Sequence, residues 1–365
     1  MKQLKLILGL TLLFMFVFTV RCSKKSDPAP SLVSISGTVS YTDLNGATAN
    51  AAGAVVYLAK SATATTTYDQ STIADASGVY TFSSLSVGSY FLNSVYKTDN
   101  KNTTARLDGV TFTTASGYLV TVAAINVTQD MSLVSVGQTG TEVIQATYVW
   151  DAVQVKYVNS GAYVFDNAHT SVQFQFPYRG AEGDFKGSFM QVSKFNFTFD
   201  AANLATSSIE AQIDLSSINT GTPGGRDTQP VTSGATFQPL TTFVKGKLGC
   251  ISGTFGITAD DAVADPATIT NDVDRYAKFT STSIEVYGDG YLAKGNLVFH
   301  GVTLPVGLVF KYVAPFTDTS VTPNKKYVSF EGKMTIKAKT DYLIVSSSVA
   351  DLVTIYITVN LNKTL

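Results

Sequence analysis

The chain is poor in the residues that most often carry catalysis and bind metals. Its 365 residues include two histidines, two cysteines and one tryptophan, and only 15% of the residues are charged. Two cysteines exclude a disulfide scaffold, and Cys250 has the surroundings of a buried small apolar residue. His169 and His300 have no third histidine or cysteine pair nearby, so the sequence contains no zinc-type site.

The charge balance also excludes classes of partner. The formal net charge is -1, and no basic patch is evident, so nucleic acid is not expected as a partner. In contrast, aromatic residues are abundant, with 22 phenylalanines and 18 tyrosines. Together with many threonines and valines, they are typical of β-sheets. The length allows two domains, and we expect an all-β protein.

Residues 1–21 predict a secretory signal peptide. Lys2 and Lys5 precede an uncharged apolar run of about 15 residues, which is shorter than the roughly 20 that a membrane span requires. Cys22 follows, and residues 22–31 form a polar tether. This cysteine resembles the lipid-modified cysteine of bacterial lipoproteins, although Arg21 stands where such sites carry a small residue. A cleaved signal peptide followed by an incidental cysteine is the alternative.

Short strands separated by turn residues over residues 32–136 predict a small β-sandwich. A turn is expected at residues 75–78, where the sequence is DASG. The series GTV, GAVVYL, DASGVYTF and LSVGSY resembles the carboxypeptidase regulatory-like (transthyretin-like) module. The resemblance implies an Ig/transthyretin-like sandwich that acts as a spacer or adhesion unit, with carbohydrate or protein binding as the alternative.

Residues 137–160 are interpreted as a linker, in which Trp150 is a hydrophobic plug between two domains. From residue 161 to residue 365, apolar and polar residues alternate persistently, as in KFNFTFD at residues 194–200. A period of two over many segments predicts antiparallel strands with one apolar face each. A closed barrel places those faces inside and removes exposed edges.

Three segments in this region share a pattern with one family. They are YVFDNAHT at 163–170, SINTGTPGGRD at 217–227 and GNLVFHGVT at 295–303. In the third, His300 and Gly301 lie at a tight bend between two alternating runs. Together the segments resemble the YceI-like family of polyisoprenoid-binding, lipocalin-like barrels. The resemblance covers most of residues 163–365.

The resemblance implies an antiparallel barrel that binds a polyisoprenoid or similar amphiphilic lipid, as a carrier, store or sequestering protein. Arg226 suits a phosphate head group because a guanidinium binds phosphate in a bidentate manner, although Asp227 could neutralise it in an ion pair. His169 and His300 either contact the head group or anchor bends. The residues expected to line the hydrocarbon chain are Phe174, Phe176, Phe195, Phe197, Phe199, Leu297 and Phe299.

Two other functions stay open at this point. One is a structural or adhesion role in the cell envelope, with the barrel filled by its own side chains. The other is a hydrolase, which is disfavoured because neither histidine lies beside a nucleophile motif. Five aspartates between residues 260 and 274 lack the spacing of a calcium loop, so a solvated acidic loop is favoured over a metal site.

The expected setting follows from these assignments. The protein is expected to be exported to the periplasm or outer membrane of a Gram-negative bacterium and to be anchored through a lipidated Cys22. No metal or redox cofactor is implied, although an isoprenoid quinone could be the bound lipid. A homodimer is left open as the assembly.

Overall fold

The computed structural model describes residues 32–98, 109–138, 140, 142–151, 154, 156–177, 183–189, 191–215, 218–219, 276–344 and 350–365. Over these residues, strands dominate, and a short 3-10 turn lies at Leu204–Thr206. The strands form a sheet assembly of ten strands and another of thirteen. The predicted fold class, all-β with a sandwich followed by a barrel, is confirmed.

The sandwich comprises the first ten strands: β1 Val33–Thr42, β2 Thr48–Asn50, β3 Val55–Ala59, β4 Gln70–Ile73, β5 Val79–Leu85, β6 Gly88–Lys97, β7 Thr111–Thr114, β8 Tyr118–Val122, β9 Val127–Thr128 and β10 Met131–Val134. β1 pairs with β2, β5, β9 and β10, whereas β6 pairs with β3, β7 and β8. The expected turn before β5 is present, because the Asp75 carboxylate accepts hydrogen bonds from the backbone of Ser77 and Val79 at 2.8 and 2.9 Å.

The barrel comprises the remaining strands: β11 Ile144–Asp151, β12 Lys156–Ser160, β13 Val164–Phe165, β14 Ser171–Pro177, β15 Asp184–Phe189, β16 Val192–Phe199, β17 Ser208–Asp214, β18 Ile218–Asn219, β19 Tyr276–Tyr287, β20 Gly290–Phe299, β21 Val302–Asp318, β22 Lys325–Lys337 and β23 Leu352–Thr364. The order is β12-β11-β16-β17-β19-β20-β21-β22-β23-β14-β15-β18, and β13 also pairs with β23. All these pairs are antiparallel.

The curled sheet brings its borders together through short elements. The backbone N–H of Tyr163 donates to the carbonyl of Gln145 at 2.9 Å, so the chain before β13 contacts β11 while β13 itself pairs with β23. β18 follows β17 in the chain and pairs with β15. These contacts give the antiparallel barrel that the alternating sequence predicts.

The interpretation of residues 137–160 as a linker is wrong for residues 144–160. β11 and β12 form a hairpin of the barrel sheet, and β11 pairs with β16 over five residues. The reason is visible in the sequence, since Ile144, Ala146 and Tyr148 alternate with polar residues and are all buried. Trp150 packs edge-on against Tyr157 within this hairpin, at 5.1 Å between ring centroids, rather than plugging the domain junction.

The turn between β19 and β20 is held by the connector, residues 135–143 as far as they are described. The carbonyl of Gly288 accepts hydrogen bonds from the backbone of Val136 and of Gly137, each at 2.8 Å. The N–H of Gly288 donates to the hydroxyl of Ser135 at 2.8 Å. The polar backbone groups of this turn are therefore satisfied by the segment that joins the two domains.

The same turn docks into the sandwich. The Tyr287 ring meets the Phe112 ring edge-on, with 5.0 Å between centroids, and Tyr287 and Leu292 belong to the apolar core of the sandwich. The Asp289 carboxylate accepts a hydrogen bond from the backbone of Thr111 at 2.9 Å. Burial of large apolar side chains together with directed hydrogen bonds fixes the sandwich against one end of the barrel.

Glu142 ties the connector to the last two long strands. Its carboxylate accepts hydrogen bonds from Lys326 on β22 and from Lys363 on β23, the latter at 2.9 Å. The ammonium groups, Lys326 first, lower the pKa of Glu142 from 4.5 to about 2, and burial opposes this only in part. Tyr163 also contributes a hydrogen bond to the carboxylate.

We predict that Gly288→Ala destabilises the protein by about 2–4 kcal/mol. Gly288 has φ of +59°, and an added Cβ would lie 2.8 Å from Cβ of Val110, so backbone strain and overlap both contribute. Gly301→Ala is the matched control, because Gly301 has φ of +71° with nothing within 4 Å. Its expected cost is about 1–2 kcal/mol from strain alone. Equal losses in denaturant unfolding would contradict a tightly packed junction.

We predict that Glu142→Gln lowers the free energy of unfolding by about 1 kcal/mol at neutral pH. Because the folded-state pKa of Glu142 is depressed, its stabilisation is complete above about pH 4.5 and is lost as the pH falls toward about 2. The two proteins should therefore converge in urea unfolding over that window. Glu285→Gln, which breaks a more exposed pair with Lys294, should have little effect. A difference between Glu142→Gln and the parent that does not change with pH would count against the ion-pair explanation.

Candidate functional site

The barrel encloses an apolar cavity. Its volume is about 130 Å³, and twenty-eight of the described residues, from most of the barrel strands, line it. None of these twenty-eight is charged, and Thr170 is the one among them with a polar side chain. Its hydroxyl already accepts a hydrogen bond from the backbone of Asn360 at 3.2 Å. The lining therefore favours hydrocarbon and penalises a charged or strongly polar occupant.

Small residues placed opposite phenylalanines leave this space open. Ala211 on β17 lies in register between Phe195 on β16 and Phe279 on β19. Gly332 on β22 lies opposite Phe310 on β21. All five residues line the cavity. A large residue at either small position would occupy part of the void, so these two positions control how hollow the barrel is.

Five of the seven residues expected to line a ligand chain surround the cavity: Phe174, Phe195, Phe197, Leu297 and Phe299. The other two are a correction, because Phe176 and Phe199 are buried but do not line it. Phe176 stacks on Phe185, with centroids 5.1 Å apart, and Phe199 packs into the layer of rings described next. Contact of the five residues with a ligand stays a prediction.

One end of the cavity is closed by aromatic rings, which we call the aromatic floor: Phe199, Tyr291, Phe310, Tyr312 and Phe330. The Phe199 ring contacts the other four, with centroid distances of 4.9 to 5.9 Å. Phe310 and Phe330 face the cavity, whereas the other three lie behind them. Edge-to-face packing of this kind adds about 0.5–1.5 kcal/mol per pair beyond the burial of area.

The aromatic floor is backed by Gln138 of the connector. β20 begins at Gly290 and does not reach Tyr312, so on the side of β21 that faces β20 the backbone of Tyr312 has no strand partner. The Gln138 amide supplies that partner, since its Nε2 donates to the carbonyl of Tyr312 and its Oε1 accepts from the N–H of Tyr312, each at 2.6 Å. The Tyr291 hydroxyl donates to the carbonyl of Gln138.

His300 lies in the two-residue turn between β20 and β21, which confirms the predicted tight bend. Its φ is +49°, and that of Gly301 is +71°. Its Nδ1 donates to the backbone carbonyl of Tyr342 at 2.7 Å, the contact that an anchoring role requires. His300 is not among the residues that line the cavity. A head-group contact by His300 stays a prediction.

His169 lies in a turn before β14, and its side chain is 76% exposed. Its Nδ1 contacts the Asp166 carboxylate at 2.8 Å. It does not line the cavity. This contact stabilises the turn locally. A head-group contact by His169 stays a prediction.

The other residues singled out from the sequence lie outside the described residues. They are Arg226 and Asp227, proposed for the head group, Cys22, proposed for lipidation, and Cys250 and the aspartates of residues 260–274. The described residues stop at Asn219 and resume at Tyr276. Ile213 and Asp214 pair with the first residues of β19, so the end of β17 and the start of β19 lie together at the end of the barrel opposite the aromatic floor.

Sequence reasoning missed several residues at the cavity. Phe310 and Phe330 alternate with outward residues in LPVGLVFKY and YVSFEGKMTIKA, so the period of two could have identified them. Tyr342 packs beside the cavity on Phe299 without lining it, and no alternation predicts it because it lies in a turn. It is buried against Phe299, its hydroxyl has no hydrogen-bond partner among the described residues, and burial raises its pKa to about 12.

Among the described residues, no group of three or more His, Cys, Asp or Glu side chains could hold a metal ion. None of the helical structure in that part of the chain is long and apolar enough to cross a membrane.

A family model described as the YceI-like domain matches residues 163–361, which is more than half of the chain. The chain belongs to the YceI-like family. The match begins after β11 and β12, so this YceI-like barrel carries a hairpin that precedes the matched span. The sandwich lies outside the match, and its resemblance to the carboxypeptidase regulatory-like module stays a prediction.

Solved structures are similar to parts of this YceI-like protein at low identity. The Campylobacter jejuni YCEI protein is 16% identical, over 50% of this chain and 88% of that chain, with a TM-score of 0.31. A putative carbohydrate binding protein from Pseudomonas aeruginosa is 17% identical, over 29% of this chain and 92% of that chain, with a TM-score of 0.20. No curated protein matches significantly. Family membership therefore rests on the family model.

We predict that His300→Ala destabilises the protein by about 2 kcal/mol, because it loses a hydrogen bond and places alanine in the left-handed region. His300→Gly relieves the strain and should cost only about 1 kcal/mol. His169→Ala, at an exposed turn, should change the stability little. Denaturant unfolding of the three variants tests the anchoring role, and a silent His300→Ala would refute it.

Proposed function

We propose that this YceI-like protein binds the hydrocarbon part of a polyisoprenoid or similar amphiphilic lipid inside its barrel. It would act there as a carrier, store or sequestering protein, with no catalytic step. The observation that supports this proposal is the cavity of about 130 Å³ with an uncharged, almost wholly apolar lining. The family is one of polyisoprenoid-binding barrels, which supports the same class of ligand.

The size of the cavity limits what it holds without rearrangement. Apolar protein cavities of about 150 Å³ stay dry and bind molecules of the size of benzene. A longer chain requires side chains to move, and Met334 in the lining is unbranched and adapts readily. Each CH₂ transferred from water contributes about 0.8 kcal/mol, so a hydrocarbon needs no polar contact to be retained.

A polar head group would stay outside the apolar lining, because burying it without partners is costly. Arg226 remains our candidate for a phosphate, and Asp227 either orients Arg226 or neutralises it. The support for both is the chemistry of their side chains and their place in the 217–227 segment. An isoprenoid quinone is the uncharged alternative.

The proposed setting is the cell envelope. The amino-terminal run of residues 1–21 supports export, and Cys22 supports anchoring through lipid in the periplasm or at the outer membrane. The sandwich would then separate the barrel from the membrane surface. The support for these steps is the sequence pattern alone.

A structural or adhesion role with a filled barrel is the second candidate. The observation that favours it is the number of inward aromatic rings, since Phe174, Phe189, Phe195 and Phe197 all occupy interior space. Under this view, the remaining void is a packing defect rather than a site. The two functions differ in whether the purified protein holds lipid.

The deciding experiment is native mass spectrometry with organic extraction on the chain from Ser23 onward, purified without detergent. We predict a bound lipid in the parent protein and its loss in Ala211→Leu, which fills the cavity. Gln212→Leu is the control, since the neighbouring position points to the outer face of the same strand. A parent protein that carries no lipid and takes up no polyprenyl phosphate or quinone would favour the filled barrel.

A further inference from the structure

We propose that the cavity is a blind tunnel for a single hydrocarbon chain. The chain enters from the end that carries the His300–Gly301 turn, and the aromatic floor sets the greatest length that is buried. This inference rests on the proposed function and adds to it the class of lipid, one with a single chain, and a residue layer that selects chain length.

The aromatic floor limits how far a hydrocarbon chain can extend, because its rings are buried and hydrogen-bonded groups lie directly behind them. Phe199, Tyr291 and Phe310 are each no more than 3% exposed. Behind them, Gln138 holds both Tyr291 and Tyr312 through hydrogen bonds. A hydrocarbon that passed this layer would break those hydrogen bonds and leave backbone groups of β21 unpaired in an apolar space.

The sandwich reinforces this closed end. The turn at Gly288 and Asp289, which follows β19 and precedes Tyr291, is bonded to the connector and to Thr111 of the sandwich. Tyr287 is packed into the sandwich core. The domain that lies outside the family match thus covers the end of the barrel that the aromatic floor closes from inside.

The opposite end has no comparable layer among the described lining residues. There the cavity is bordered by Leu215, Ala277, Ala338 and Ile344, with Phe299 as the aromatic ring. Two of these side chains are alanines, which fill less space than the rings of the aromatic floor. Entry from this end displaces less packed material than entry through the aromatic floor.

The shape of the cavity indicates one chain. Lining residues run along β22 from Phe330 to Ile336 and continue to Ala338, the residue that follows the strand. Eight residue steps of about 3.3 Å, tilted by about 40° to the barrel axis, give a depth of about 20 Å. A volume of about 130 Å³ is already small for one extended chain of that length, so even one chain requires lining side chains to move. The paired chains of a diacyl lipid would require far more displacement, and we therefore assign the cavity to a single chain.

The test is a binding series with linear prenols that grow by one isoprene unit at a time, measured by displacement of a fluorescent probe from the full exported chain. In the parent protein, each additional buried CH₂ should strengthen binding about fourfold until the chain reaches the floor. Beyond that length, the dissociation constant should level off. A diacyl phospholipid should not compete.

Phe330→Ala removes a ring of the aromatic floor and should move the levelling point to a longer prenol. Phe330→Leu provides the same comparison with a smaller shift if the alanine variant folds poorly. Phe82→Ala, in the sandwich core, is the control for general destabilisation and should leave the levelling point unchanged.

The outcomes separate the two proposals. A levelling point that is the same in the parent and in both Phe330 variants would overturn the floor as the stop while leaving lipid binding intact. Competition by the diacyl lipid would overturn the single-chain assignment. A parent protein that binds no prenol of any length would remove the proposed function, and this inference with it.

Discussion

The geometry of a curled antiparallel sheet governs the rest of this structure, because every second side chain of each strand must point into an interior of fixed width. The sequence supplies phenylalanine at many of those positions, so the interior is almost full. Where registered strands place Ala211 or Gly332 beside phenylalanines, a void remains. The cavity is therefore a consequence of strand register, and a one-residue slip would send its lining to the outer surface.

At the junction between the domains, the connector that precedes the barrel closes one end of it. β20 is shorter than β21, and Gln138 replaces the missing strand with the two hydrogen bonds of its amide. The same connector holds Glu142 against lysines of β22 and β23. Packing of Tyr287 against Phe112 then joins the sandwich core to the barrel. The sandwich is thus structurally part of the closed end of the barrel and more than a tethered neighbour.

Much of the fold was predictable from the sequence because it follows from alternation alone. KFNFTFD gives β16 and its inward phenylalanines, and His300–Gly301 gives the bend before β21. The linker prediction is wrong for the hairpin of β11 and β12, because the Gly and Thr residues that precede the hairpin do not extend into it and its own alternation is clear. Phe176 and Phe199 show a different limit. Alternation predicts that a side chain points inward, but its depth along the barrel depends on register, which only pairing partners define.

The small volume of the cavity does not by itself favour a filled barrel over a binding barrel. A filled barrel would gain dispersion energy from larger residues at Ala211, Ala277, Gly332 and Ala338, and each void left beside phenylalanine costs packing contacts. The four small residues around the cavity therefore make the barrel less stable than a fully packed core would be. A barrel with a purely structural role gains nothing from that loss of stability. An apolar ligand that fills the void restores those contacts. This cost agrees with the proposal that the void between the rings is the place for a slender chain.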